Sequence, residues 1–404
     1  MRAPTNARAD AGTIADRPMN RGRTLAAGAL HFSADLYSLF FPIYMVVAGL
    51  DPAWAAMIFA VSSLAANGLQ PVMGLWADRV RGKLPVFLGL AVGAVGMSMI
   101  GLTRNYALLA LLVLVGRLGI SLFHPAGSNI AGAAGGGRSE LAFSIFMAVG
   151  VVGGSLSQPY FSLFTQAFGN LASPLLALPA LAAAFLYLFR GKMTIAGPHQ
   201  SVDLAQAVRV LRGRLAPLAL LLAIMILRYG FTVAVGFFAA KLFADWGFQR
   251  AAYSTAATFY QLAGAASALV SGVIARRVRP RTLFIFSQLA FLPFLALLLW
   301  FGGRGALWPA LAALSVVGFV LNLSQVANIT MGHRLLPEMT STVSGILMGF
   351  AWAIGEFSLP LGAAFSGAFP WAPGLASGLL VLVVLPLLAT LLTLFLPRDP
   401  PAGV

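Results

Sequence analysis

Apolar runs long enough to cross a bilayer alternate with short polar breaks along nearly the whole chain. Twelve can be marked, at about 24–48, 53–76, 84–103, 106–129, 141–164, 171–189, 216–239, 252–275, 283–301, 306–330, 341–364 and 375–396. At about 1.5 Å per residue, each covers the ~30 Å hydrocarbon layer as a helix. Only one polar interruption is long, from Gly191 to Arg214, and it divides the runs six and six. The pattern predicts an all-α integral membrane protein of twelve transmembrane helices in two six-helix bundles. Residues 1–23 form a tail, 24–189 the first bundle, 190–215 a linker, 216–396 the second bundle and 397–404 a second tail. Within the linker, Val202 to Leu211 has weak helical periodicity and is expected to lie along the membrane surface, while His199 reads as a solvated loop residue. Gly132 to Gly137 reads as a flexible turn without the lysine of a phosphate loop.

The sharpest break is the decamer Gly74-Leu75-Trp76-Ala77-Asp78-Arg79-Val80-Arg81-Gly82-Lys83, read as a charged turn between the second and third runs. A basic turn alone needs no acid, and an aspartate beside lipid is costly unless paired. A weaker copy, Gly272 to Arg281, aligns without gaps at an offset of 198, with Arg276 standing where the first copy has Asp78. Phe146 to Pro159 also aligns on Leu347 to Pro360, at an offset of 201. Two matches at nearly one spacing imply duplicated, pseudo-symmetric halves. The pattern G-x-x-x-D-R-x-x-G-K resembles the loop between helices 2 and 3 of the major facilitator superfamily of secondary transporters. Gly74, Asp78, Arg79 and Lys83 are accordingly expected to act as a gate, with Asp78 and Arg79 bridging to a neighbouring helix on the cytoplasmic side.

Composition agrees with the pattern: 59% of residues are hydrophobic and 9% charged, where a soluble domain has about a quarter charged. A formal net charge of +15 would point to nucleic acid in a soluble chain, but here the arginines flank apolar runs and no nucleic-acid partner is expected. An even number of spans puts both termini on one side. Placing that side in the cytoplasm leaves only Arg104, Lys241, Arg250 and Arg304 outside, with the remaining loop cations inside. The expectation is a multi-pass protein of the bacterial inner membrane with both termini cytoplasmic. The polar start lacks a short apolar core with a cleavage site, so the first helix is expected to serve as an uncleaved insertion signal. The absence of cysteine excludes disulfides, thiolate metal sites and cysteine catalysis.

Few ionisable groups fall inside the spans: His31 and Asp35 in the first, Arg117 in the fourth, Arg228 in the seventh and Glu356 in the eleventh, with His124 nearer the cytoplasmic end of the fourth. Each is expensive in lipid and should face a wet cavity or a partner. His31 and Asp35, four apart, share a helix face, and either a proton-coupling pair or a structural hydrogen bond fits that spacing. Asp35 and Glu356 are the two carboxylates available to carry a proton. Arg117 and Arg228 keep their charge and need a carboxylate or an external anion. In the superfamily fold, helices 1, 4, 7 and 10 line the central cavity, so the resemblance implies that both arginines meet substrate; the alternatives are salt bridges of Arg117 to Asp35 and of Arg228 to Glu356. His31, Tyr260, Gln261, Asn322 and Gln325 complete the candidate substrate-binding set, with Asn67, Gln70, Gln158 and Asn328 as further polar residues within the spans. Gly150, Gly153, Gly154 and Gly355 suggest close helix packing.

Three stretches narrow the resemblance. Leu30-His31-Phe32-Ser33-Ala34-Asp35, Leu69-Gln70-Pro71-Val72-Met73-Gly74 and Phe123-His124-Pro125-Ala126-Gly127-Ser128 are similar to the H-F-x-x-D, Q-P-x-x-G and F-H-P-x-G set of the fosmidomycin-resistance branch, whose members export a phosphonate antibiotic. The resemblance implies a monomeric, proton-coupled exporter of a small anionic or zwitterionic compound working by alternating access. Proton-coupled uptake of an organic anion and general multidrug efflux remain the alternatives. No cofactor and no metal is expected, and no nucleophile, metal cluster or paired catalytic acids support an enzyme.

Overall fold

The computed structural model describes residues 18–80, 82–191, 193, 214–274, 277–335, 343 and 346–396, without the side chains of Asp78, Glu140, Gly272, Val273 and Val326. The linker residues Val202 to Leu211 and His199 lie outside the described residues. Among the described residues the chain is helical, with eleven helices long and apolar enough to span a membrane. These are α1 (Arg21–Ala48), α2 (Pro52–Ala77), α3 (Leu84–Leu102), α4 (Tyr106–Arg138), α5 (Leu141–Phe168), α6 (Asn170–Arg190), α7 (Leu215–Asp245), α9 (Pro280–Gly302), α10 (Leu307–Leu335), α11 (Ile346–Ala364) and α12 (Leu375–Thr393). A twelfth, α8 (Arg250–Ile274), is long enough but interrupts its apolar face with Ser, Thr, Tyr and Gln. It packs against α5 of the first half and α10 of the second.

The decamer expected as a turn is mostly helix. Backbone helix continues from α2 through Asp78 and Arg79 to Val80, leaving the reversal to the residues around Gly82, whose φ of 73° lies in the left-handed region that favours glycine. Charged residues at a helix end reach water without ending the helix, so the fall in hydropathy precedes the backbone turn by about one helical turn.

Several spans are interrupted, and hydrocarbon leaves no water to satisfy the freed backbone groups. At two of the breaks, side chains from the same or neighbouring helices do so. The α1 break between Asp35 and Phe40 is served by Ser38 Oγ, which donates to Asp35 O at 2.7 Å, and by Ser157 Oγ of α5, which accepts from Leu39 N at 3.0 Å. Close to the break in α10 between Asn322 and Gln325, Arg228 Nη1 of α7 donates to Leu321 O at 3.0 Å. The break in α11 falls on Glu356 and Phe357.

Buried apolar side chains form three clusters that record how the halves meet. One is shared by both halves, joining Phe40, Phe41, Phe59 and Phe161 to Phe231, Phe237, Phe243, Leu359 and Leu382. Reading along the antiparallel helices, these residues lie toward the membrane face away from the termini. Toward the terminal face the core divides, with Leu30, Phe123 and Phe146 in a first-half cluster and Leu221, Phe284 and Leu347 in a second-half one. Among the described residues the halves thus share a core at one end and have separate cores at the other.

Glycines set a close helix approach between α3 and α4. A Cβ on Gly119 would stand 2.3 Å from Gly93 N, and one on Gly96 2.7 Å from Gly116 N, whereas one on Gly68 would meet nothing within 4 Å. Backbone cannot yield as a flexible side chain can. Gly119→Val should destabilise the purified protein by about 1–3 kcal/mol, the usual cost of overpacking, with Gly68→Ala near neutral. Thermal unfolding in detergent reads the difference, and equal melting of the two variants would refute the close approach.

Candidate functional site

The first half places His31, Asp35 and His124 together. His31 Nδ1 donates to Phe146 O at 2.8 Å, and its ring stacks on Phe146 at 4.0 Å between centroids. Gly150 makes room for that ring, since a Cβ there would stand 2.4 Å from its atoms. His124 Nδ1 donates to Ile120 O at 2.8 Å. Both imidazoles therefore turn Nε2 toward Asp35, His31 at 3.1 Å from Oδ2 and His124 at 3.3 Å from Oδ1. His31 is 1% exposed, and its Nε2 makes no hydrogen bond of regular geometry despite that proximity. The side chains of Asp35 and His124 are 18% and 31% exposed, so the cluster opens on their side.

A second ionic contact joins the halves. Arg117 Nη2 of α4 donates to Glu356 Oε1 at the α11 break, 3.1 Å away. The guanidinium lies 3.9 Å over the Phe59 ring, which itself packs on Phe237 of α7. Glu356 Oε2 is buried without a hydrogen bond of regular geometry, although the Ser63 hydroxyl interacts with the carboxyl. Both alternative salt bridges expected from sequence are overturned: Arg117 pairs with Glu356 rather than Asp35, and Asp35 is taken by the two histidines. Helix spacing explains the exchange. Arg117 and His124 are seven residues apart, nearly two turns, and so share one face of α4 about 10 Å apart along its axis. That face meets the second half at Arg117, which turns His124 toward the same inter-half space.

Arg228 has no carboxylate partner among the described residues. It is 2% exposed, and its Nε is buried without a hydrogen bond. Tyr260 is buried with its hydroxyl donating to Thr232 O at 2.8 Å, and Asn322 Nδ2 donates to Gly318 O at 2.9 Å. Gln325 begins the second segment of α10 and is half-buried, as is Gln261. Gln261 borders Gly154 across the seam, since a Cβ on Gly154 would stand 3.5 Å from Gln261 Oε1 and 3.8 Å from Asp35 Cβ. Among the gate candidates, Gly74 lies beside Pro125, Arg79 is exposed and Lys83 Nζ donates to Leu188 O at 2.9 Å. The Asp78 side chain, and with it the expected bridge, lies outside the described residues.

Sequence reasoning missed two residues. His124 had no role, although its place on the Arg117 face of α4 was a usable signal. Arg250 counted only as an outer loop charge. Its Nε donates to Ser162 Oγ at 3.1 Å and its Nη2 to Thr165 Oγ1 at 2.7 Å, tying α8 to α5 across the halves. Thr258 Oγ1 adds a bond to Ser155 O at 2.6 Å. Arg250→Ala should loosen this seal. In the cysteine-free chain, with Ala257→Cys as reporter in the shared apolar cluster, an impermeant thiol reagent applied at the sealed end should react several-fold faster in the Arg250 variant. An unchanged rate would count against Arg250 as a lock.

The family model described as Major Facilitator Superfamily matches residues 24–360. Over 358 residues the chain is 26% identical to the fosmidomycin resistance protein of Escherichia coli (strain K12), covering 85% of this chain and 84% of that protein. An uncharacterized MFS-type transporter of Bacillus subtilis (strain 168), YfnC, is 26% identical over 369 residues, covering 89% and 88%. Among solved structures, a bacterial homologue of the human lysosomal transporter Spinster, inward-facing and occupied, superposes with a TM-score of 0.74 at 15% identity, covering 96% of this chain and 100% of that one. The nucleoside transporter NupG gives 0.74 at 13%, covering 93% and 100%.

Proposed function

Because this chain belongs to the Major Facilitator Superfamily, we propose that it is a proton-coupled secondary transporter exporting a small anionic or zwitterionic organic compound by alternating access. The Arg117–Glu356 pair carries the proton-coupled, anion-binding part of the reading, as a permanent cation of one half neutralised by a titratable acid of the other. A carboxylate or phosphonate of the substrate competes with Glu356 for the guanidinium, and a proton on Glu356 removes the competitor. Breaking the pair also removes a tie between the halves, so loading and rocking share one contact. With both termini in the cytoplasm, as the distribution of arginines favours, the end at which the core divides is the cytoplasmic one. Both halves of the proposed cycle lie in one chain, which is expected to work as a monomer.

Export is supported by the similarity to a protein named for fosmidomycin resistance. The same ion pair favours a second reading, uptake by symport. An anion on Arg117 and a proton on Glu356 each make the other's binding easier, and ligands so linked tend to travel together. Proteoliposomes loaded to opposite pH gradients separate the two, with labelled phosphonates and carboxylates outside and protein-free vesicles as control. Exchange accumulates substrate in an acidic lumen, symport in an alkaline one, and accumulation indifferent to the gradient would remove proton coupling.

A further inference from the structure

We propose that His31, Asp35 and His124 form a binding site for one divalent transition-metal ion of the zinc class, held between α1 and α4 and open toward the second half. The three ligand atoms lie within 4.8 Å of one another. A tetrahedral ion with bonds of about 2.0–2.1 Å holds its ligands about 3.3 Å apart. His31 Nε2 stands 3.1 Å from Asp35 Oδ2 and His124 Nε2 3.3 Å from the other oxygen, Oδ1, so an ion shared by both imidazoles takes one oxygen at its present distance and draws the second imidazole inward. Moving His124, the most exposed of the three, closes the remaining gap between the imidazoles.

The surroundings are those of a built metal site. Each Nδ1–H is committed to a backbone carbonyl, an arrangement that fixes ring orientation and leaves Nε2 as the coordinating nitrogen. His31 Nε2 is buried, aimed at the carboxylate and free of any regular hydrogen bond. Phe123 and Phe146 pack against the His31 ring, while Asp35 and His124 stay part-exposed. Two imidazoles and one carboxylate suit zinc, cobalt or nickel and discriminate against magnesium and calcium, which prefer oxygen. Three protein ligands leave a fourth position facing the space between the halves.

The chain has four histidines and no cysteine, so competing sites are few. The test uses the full-length protein purified in detergent without a histidine tag, stripped with chelator and titrated with Co²⁺ while its visible ligand-field absorption is followed. One Co²⁺ per chain, displaced by Zn²⁺, is expected. Affinity should fall at least tenfold in His124→Gln and in Asp35→Asn, and should be unchanged in His199→Gln. His31 is buried and its replacement could unfold the protein, whereas the half-exposed His124 can be changed with folding checked by size exclusion. Absence of a stoichiometric Co²⁺ signal, or affinity unchanged in folded His124→Gln, would overturn the proposal and leave protons as the occupants of the cluster. Binding is read on the purified chain without transport, so failure of this proposal and failure of the transport reading are distinguishable.

Discussion

Arg117→Lys should weaken substrate binding by about 10- to 100-fold, because a lysine keeps the charge but loses the planar fork that grips two oxygens at once. That range corresponds to about 1.4–2.8 kcal/mol, within what a hydrogen bond to a charged group contributes. The companion variant should move affinity the other way. Glu356→Gln removes the carboxylate that competes for the guanidinium, so anion affinity should rise even as gradient-driven flux collapses. A general loss of folding would lower both quantities, which sets it apart from this opposite movement. The variant also leaves Arg117 without its counter-charge, and stripping one partner from a buried pair costs about 3–5 kcal/mol, so its melting temperature should fall unless the anion is present. Affinity unaltered in both variants, or a preference for lipophilic cations in a substrate panel, would take Arg117 out of the binding site and favour general multidrug efflux.

The second large effect concerns which carboxylate couples the proton. Asp35→Asn should abolish accumulation driven by a pH gradient, while counterflow of labelled substrate between equal pH compartments continues. Asparagine nearly preserves shape but cannot take up and release a proton, and it removes the anion that both imidazoles face. Glu356 is the alternative carrier, being the other carboxylate at mid-span and already exchangeable with substrate on Arg117. The two assignments differ in one observable. If Asp35→Asn still concentrates substrate against the gradient and Glu356→Gln does not, coupling resides at the inter-half pair alone. If neither variant loses it, proton coupling through the span carboxylates is wrong.

Much of the architecture was legible in the chain because hydrocarbon imposes a one-dimensional rule. A segment must be apolar over about twenty residues to cross, and its helix must satisfy its own backbone, so spans can be read from hydropathy alone. Gly74 to Lys83 and its partial copy exposed the duplication by the same local reading. Even α8, whose apolar face is diluted by Ser, Thr, Tyr and Gln, kept the length of a span. Spacing along one helix was equally informative: His31 and Asp35, four apart, do meet.

Pairing between helices was decided only in three dimensions. Periodicity tells which face of a helix a residue occupies, but not which helix that face meets or at what depth, since both follow from packing over the whole bundle. Asp35 could have neutralised Arg117, yet α4 turns His124 toward Asp35 and carries Arg117 about two turns farther, to Glu356. Arg228, equally costly by sequence, instead supports a backbone carbonyl beside a helix break that hydropathy cannot show, because a two-residue interruption leaves the composition of the span unchanged. The sequence by itself determined twelve crossings, two related halves and a short roster of charges that must be compensated. Only the tertiary structure decided which charges compensate one another, because that depends on contacts between residues as far apart as Arg117 and Glu356, which no local rule connects.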